Sequence, residues 1–145
     1  LRLMNQMFDG ARAFNKPLNN WNTSHVEDMR QTFRGAISFN QPLNNWDTTN
    51  TRHMAEMFSN AISFDQNLNM WNIESALSVN GMFNGVTLSQ ANYDALLHSW
   101  ANQNPAQGLQ FSAGNSQYCN AGNSRNILIN NFNWQIIDGG QVAGC

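Results

Sequence analysis

Residues 33–58 read FRGAISFNQPLNNWDTTNTRHMAEMF, opening on Phe33 and closing on Phe58. That step of 25 residues recurs on both sides. Phe8, Phe33, Phe58 and Phe83 stand in one column, and Trp21, Trp46 and Trp71 in another. Phe14, Phe39 and Phe64 keep the same step, as do Leu18, Leu43 and Leu68, while Met4, Met29 and Met54 are followed in their place by Val79. Independent columns that share one register define a tandem repeat, and repeats of this length mark stacked-coil architectures. In this register Leu1 falls where Val26 falls in the next copy. The chain is therefore expected to start part-way through a repeat, as a fragment or processed form of something longer would.

Each copy divides into two halves. In the first, Val26, Met29 and Phe33 are spaced as one face of a helix, and Met54, Met57 and Phe58 and then Val79, Met82 and Phe83 follow suit. Ser24 and Glu27 have the spacing of a capping box. Gly10, Gly35, Asn60 and Gly85 follow, and Gly or Asn is the residue that ends a helix in a left-handed conformation. In the second half, Pro42 argues against a helix, and Leu43 and Trp46 can face inward from a short strand and its turn. The expected fold is thus α/β: a leucine-rich-repeat-like right-handed solenoid with one short helix and one short parallel strand per coil. The repeat array, about four coils with the first truncated, is expected over residues 1–88, with a C-terminal α/β cap over 89–145, together forming one structural domain.

Within the cap, Ser89 is a credible N-cap for a helix whose apolar face is Tyr93, Leu96, Leu97 and Trp100, ended by Pro105 and Gly108. Leu109-Gln110-Phe111 and Gln135-Ile136-Ile137 read as strands, and the second ends at the Asp138-Gly139-Gly140 turn. A helix near Ser124 to Phe132, burying Ile127 and Leu128, would join them, and such a crossover fits parallel pairing. Cys119 and Cys145 are the sole cysteines. They read as a disulfide in an oxidising compartment, worth roughly 3.5 kcal/mol in the chain-entropy model, or else as two unrelated thiols.

Only 11% of the residues are charged and the formal net charge is −2, which argues against nucleic acid or an anionic membrane as partner. No apolar run is long enough to span a bilayer. Asn, a turn residue, supplies much of the polarity. The columns Asn15/Asn40/Asp65, Asn19/Asn44/Asn69 and Asn22/Asp47/Asn72 have two readings. They either satisfy backbone groups at each bend, or the first two, with Lys16, Gln41 and Gln66, form a flat hydrogen-bonding face for a partner. No chemistry-bearing pattern stands out. His25, His53 and His98 lack companions at metal-ligand spacing. Asp94, His98 and Ser99 share a helix, but neighbouring positions 98 and 99 point about 100° apart. The expectation is no catalytic, cofactor-binding or metal-ligating residue, and no cofactor.

The stretch Phe39-Asn40-Gln41-Pro42-Leu43-Asn44-Asn45-Trp46-Asp47-Thr48, followed by Met54-Ala55-Glu56-Met57-Phe58, closely resembles the BspA-like leucine-rich-repeat surface proteins, and the resemblance runs from residue 1 to about 88. Tyr118-Cys119 and the segment Trp134 to Gly140 look like the piece that closes the array in some members. The resemblance implies a cell-surface or extracellular location and a role in adhesion or protein binding, with no catalytic residues to carry over. Two function classes follow as expectations. One is an adhesion or binding module that presents a polar face to an extracellular protein or polysaccharide. The other is a structural subunit that stacks on copies of itself or on neighbouring domains through an open N-terminal edge exposing Leu1, Leu3, Met4 and Met7.

Overall fold

Successive 25-residue copies lie directly on one another. Parallel bridges join Leu3 to Asp28, Asp28 to His53 and His53 to Ser78, in a computed structural model that describes residues 1–145. The N–H groups of Met29, Gln31, Phe33 and Gly35 donate to the carbonyls of His53, Ala55, Met57 and Ser59 at 2.8–3.0 Å. The intervening N–H groups of Thr32, Arg34 and Ala36 turn back to the carbonyls of Met29, Gln31 and Phe33. The Arg30 N–H donates to the Asp28 carboxylate. Every main-chain donor from residue 29 to 36 therefore has an acceptor, half within its own coil and half in the next. The same alternation recurs from Met4 to Gly10 and from Met54 to Asn60.

This arrangement corrects the secondary structure expected of the repeats. No helix forms before Gln90. Gln6, Gln31, Glu56 and Gly81 have positive φ, and so do Gly10, Gly35, Asn60 and Gly85, all between 54° and 76°. A left-handed residue at the third place of a four-residue turn is what a type II turn requires, and it interrupts a helix. The run is thus a ribbon of consecutive turns repeating every four residues. A period of four places Met29 and Phe33 on the same side, as a period of 3.6 would. The parallel pairing is also displaced: it falls in the first half of each coil, at Leu3, Asp28, His53 and Ser78. The second half, where a strand was expected, is irregular, with a tight turn closed by the Trp46 N–H on the Leu43 carbonyl.

Side-chain ladders fill the space between the two halves. The Phe8–Phe33–Phe58–Phe83 rings are nearly parallel at centroid spacings of 5.3–5.5 Å. Phe14, Phe39 and Phe64 stack beside them, and Trp46 stacks on Trp71 at 6.5 Å. Both indoles of this pair also find an acceptor one coil back: Trp46 Nε1 donates to the Leu18 carbonyl and Trp71 Nε1 to the Leu43 carbonyl. The ladders thus combine apolar burial with directional bonds that hold coil register.

From Ser89 onward helices appear, in the return half of the coil. Helix α1 (Gln90–Ala101) is capped by Ser89 Oγ, which accepts from the Asn92 N–H, and it buries Tyr93, Leu96, Leu97 and Trp100. Strand β1 (Gln110–Ser112), helix α2 (Gly122–Asn131) and strand β2 (Gln135–Ile137) follow. Val79 bridges to Phe111, so the ladder of the repeats continues into the cap across a longer step that accommodates α1, and β1 then pairs in parallel with β2 in the register Gln110 to Gln135, back at the 25-residue step. Helix α2 buries Leu128 but leaves Ile127, expected inside, exposed.

Asp94, on α1, supplies the cap that α2 lacks. Ala121 at the N-cap has no side-chain acceptor, and the buried Asp94 carboxylate accepts from the N–H groups of Cys119, Asn120 and Ala121 at 3.0–3.1 Å. Charge at a helix N-terminus is stabilising. Asp138, buried beside it in the cap, accepts from Arg125 Nε at 2.8 Å and from the Tyr93 hydroxyl. Burial, followed by the Asp138 contact, pushes the Tyr93 phenol well above its ordinary ionisation range. A disulfide between Cys119 and Cys145 ties the last residues to this loop.

Two outcomes follow. Phe58→Ala removes a fully buried ring from the middle of the ladder and should cost roughly 3–5 kcal/mol, read as a large fall in thermal midpoint. Phe8→Ala, at a half-buried ring, should cost clearly less. Asp94→Ala strands three N–H groups and should cost about 1–3 kcal/mol, with amide exchange at residues 119–121 accelerating first.

Candidate binding surface

The asparagine columns form rows along the stack, and their oxygens point at the neighbouring coil. Asn15 Oδ1 accepts from the Asn40 N–H and from Gln41 Nε2. Asn40 Oδ1 repeats this with the Asp65 N–H and Gln66 Nε2, both at 2.9 Å. Asp65 Oδ1 hands the row to the cap, accepting from the Ser89 N–H and Asn92 Nδ2. In the second row Asn19 Oδ1 accepts from the Asn45 N–H, and Asn44 bridges to the Met70 N–H and to Asn69 Oδ1. Asn22, Asp47 and Asn72 close local turns on the N–H two residues ahead. One oxygen each of Asn15, Asn19, Asn40, Asn44 and Asp65 thus serves a main-chain N–H of the next coil or of the cap, as the first of the two readings of these columns expects, while Asn69 Oδ1 accepts from a side chain.

A different polar surface lies on the turn ribbon. Asn5, Gln6, Arg30, Gln31, Ala55 and Glu56 line a groove of about 350 Å³ that runs across the first three coils. Gln6 Nε2 donates to Gln31 Oε1 at 2.8 Å, and Gln31 Nε2 donates to Glu56 Oε1 at 3.2 Å. The ions beside it are paired. Arg30 holds both oxygens of Asp28, and Arg34 holds both oxygens of Asp9. Burial pushes the Asp28 carboxyl up, but the Arg30 guanidinium outweighs it and holds the group below the usual carboxylate range. Hydrogen bonding to Arg34 does the same for Asp9. Sequence reasoning passed over the Gln6/Gln31/Glu56 column; its signal was a polar 25-residue step two residues after the Met column.

The N-terminal coil exposes Leu1 (65%), Leu3 (58%) and Met7 (41%), as expected of an edge, but Met4 is only 1% exposed. Met4 is the first member of the buried Met29/Met54 column; its N–H donates to the Asp28 carbonyl, and its own carbonyl accepts from Thr32 Oγ1. Asp94, His98 and Ser99 face separate partners: the α2 N-terminus, Ser124 Oγ and the Asn69 carbonyl. His53 Nδ1 lies 3.3 Å from Ser78 Oγ one coil away, while Asp28 in the same column is committed to Arg30. No three His, Cys, Asp or Glu side chains are grouped to hold a metal ion, and no helix is long and apolar enough to cross a membrane.

Because Asn40 joins two coils, Asn40→Ala should lower stability by about 1 kcal/mol although the residue is exposed, measured by chemical denaturation. An unchanged midpoint would show that this row is free of structural duty.

No curated protein and no solved structure matches the chain. Residues 1–100, which hold all four coils and most of α1, match the family model described as "Mycoplasma protein of unknown function, DUF285". With that match covering well over half of its length, the chain belongs to the DUF285 family.

Proposed function

We propose that the chain is a bacterial cell-surface or secreted binding module, a solenoid of the leucine-rich-repeat kind that presents a repetitive polar face to an extracellular protein or polysaccharide. One observation carries this reading. Equivalent side chains from successive coils are held in straight rows by main-chain bonds at 2.7–3.0 Å, giving a rigid, regular surface. Three others support it. Membership in DUF285 accompanies the resemblance to BspA-like surface proteins. The Cys119–Cys145 disulfide suits an oxidising compartment. The low charge leaves nucleic acid without a basic surface to recognise. The reading assigns no catalytic residue and no cofactor.

A second reading, a structural subunit stacking end to end into a filament, sheath or stalk, is favoured by Leu1, Leu3 and Met7, which stand exposed on the first coil. The two readings separate in solution. Light scattering across a concentration series should show a monodisperse monomer for the binding module and growing rods for the filament subunit. For the binding module, arrays of extracellular proteins and polysaccharides should yield a partner whose retention is nearly unchanged as salt is raised, because the rows carry little charge. Retention that collapses at moderate salt, or no retention on either array, would overturn it.

A further inference from the structure

We infer that the ligand-contacting element is the groove along Gln6, Gln31 and Glu56, and that it takes a segment of uncharged polysaccharide lying along the stack; this rests on the binding-module reading. The first argument concerns the backbone. Each coil has two left-handed positions. One is occupied by Gly10, Gly35, Asn60 and Gly85, the residues that tolerate that conformation best. The other carries Gln6, Gln31 and Glu56 at φ 60°, 57° and 54°, and only its fourth member is the unstrained choice, Gly81. Long side chains in this conformation cost free energy that glycine does not. Of the hydrogen bonds linking them, Gln6 to Gln31 is exposed, where water competes, and Gln31 to Glu56 is part-buried but long at 3.2 Å, so the net gain is small. The side chains are thus held at a strained position without an internal contact that accounts for them.

The chemistry of the groove selects the ligand class. Beyond the ladder bonds, each glutamine amide has a second N–H to offer, and Glu56 has a second oxygen. The neighbouring cations are already paired, Arg30 with Asp28 and Arg34 with Asp9, so nothing here is left to recognise phosphate, sulfate or a carboxylate. Main-chain donors along this ribbon are spent between coils, so a peptide cannot join as an added strand here. Two neutral amides and the Glu56 carboxylate, fixed in a row, match the hydroxyls of a sugar chain, which can accept from the first and donate to the second. The rows repeat once per coil, and coils joined by parallel main-chain bonds lie about 4.8 Å apart, a length comparable to one pyranose with its linkage. No aromatic side chain lines the groove, so ring stacking adds nothing and a single sugar binds weakly. Affinity must then build with the number of sugars that engage successive coils together.

The test is affinity electrophoresis of the folded, oxidised protein in gels containing a soluble β-glucan, a mannan or a xylan, with an anionic polymer, dextran sulfate, as comparator. Retardation by at least one neutral polymer is expected, stronger for long chains than for their oligosaccharides and indifferent to salt. Gln31→Gly removes the side chain and relieves the backbone, so it should keep or raise the thermal midpoint while weakening retardation about tenfold; Glu56→Gly, in the next coil, should act alike. Retardation unchanged in both variants, or seen only with dextran sulfate, overturns the assignment. So does a protein partner found on the arrays whose binding ignores Gln31→Gly, an outcome that leaves the binding-module reading standing. If neither arrays nor gels find a partner, both fall.

Discussion

The alternation of main-chain hydrogen bonds in the turn ribbon is the constraint on which everything else in this molecule rests. A helix would spend all its interior donors on its own carbonyls and offer neighbouring segments only side chains. Here every second N–H is aimed at the next coil, and left-handed residues at Gln31 and Gly35 turn the intervening ones back. The spacing between coils is therefore set by the backbone. The phenylalanine ladder at 5.3–5.5 Å follows from that spacing and also stabilises it through burial.

A ribbon of this kind leaves the return half of the coil without a ladder of its own, and the side chains compensate. Asn40, Trp46 and Thr51 each reach one coil back or forward to a main-chain group. The cap solves the same problem by helix formation, since α1 and α2 satisfy their return segments internally while β1 and β2 continue the ladder. The cost of a helix is its unpaired ends. Ser89 answers it locally for α1, and Asp94 answers it across the fold for α2.

Function depends on what these duties leave over. The asparagine oxygens of the return half hold neighbouring coils together, and a second polar row, Gln6, Gln31 and Glu56, lies on the turn ribbon. Charge is sparse on the turn ribbon, and its ion pairs are Asp28–Arg30 and Asp9–Arg34, while Glu56 is held only by an amide of the neighbouring coil. On the binding-module reading proposed above, such a surface would discriminate by the arrangement and repetition of hydrogen-bonding groups, with little long-range steering.

The sequence by itself determined the 25-residue period, the inward columns of Phe, Met and Trp, the order of the cap elements and the availability of Cys119 and Cys145 to each other. These follow from composition and spacing, which survive whatever the backbone does locally. Only the tertiary structure decided whether the run from Met29 to Ala36 is a helix or a ribbon of turns. A four-residue period buries the same side chains as one of 3.6, and the difference lies in acceptors supplied by a coil 25 residues away. The same reason hid the role of Asp94, whose donors at Cys119 to Ala121 are remote in the chain. It also hid the duty of the asparagines: whether an Asn15 or Asn40 oxygen meets solvent or a neighbouring main-chain N–H depends on the stacked coil.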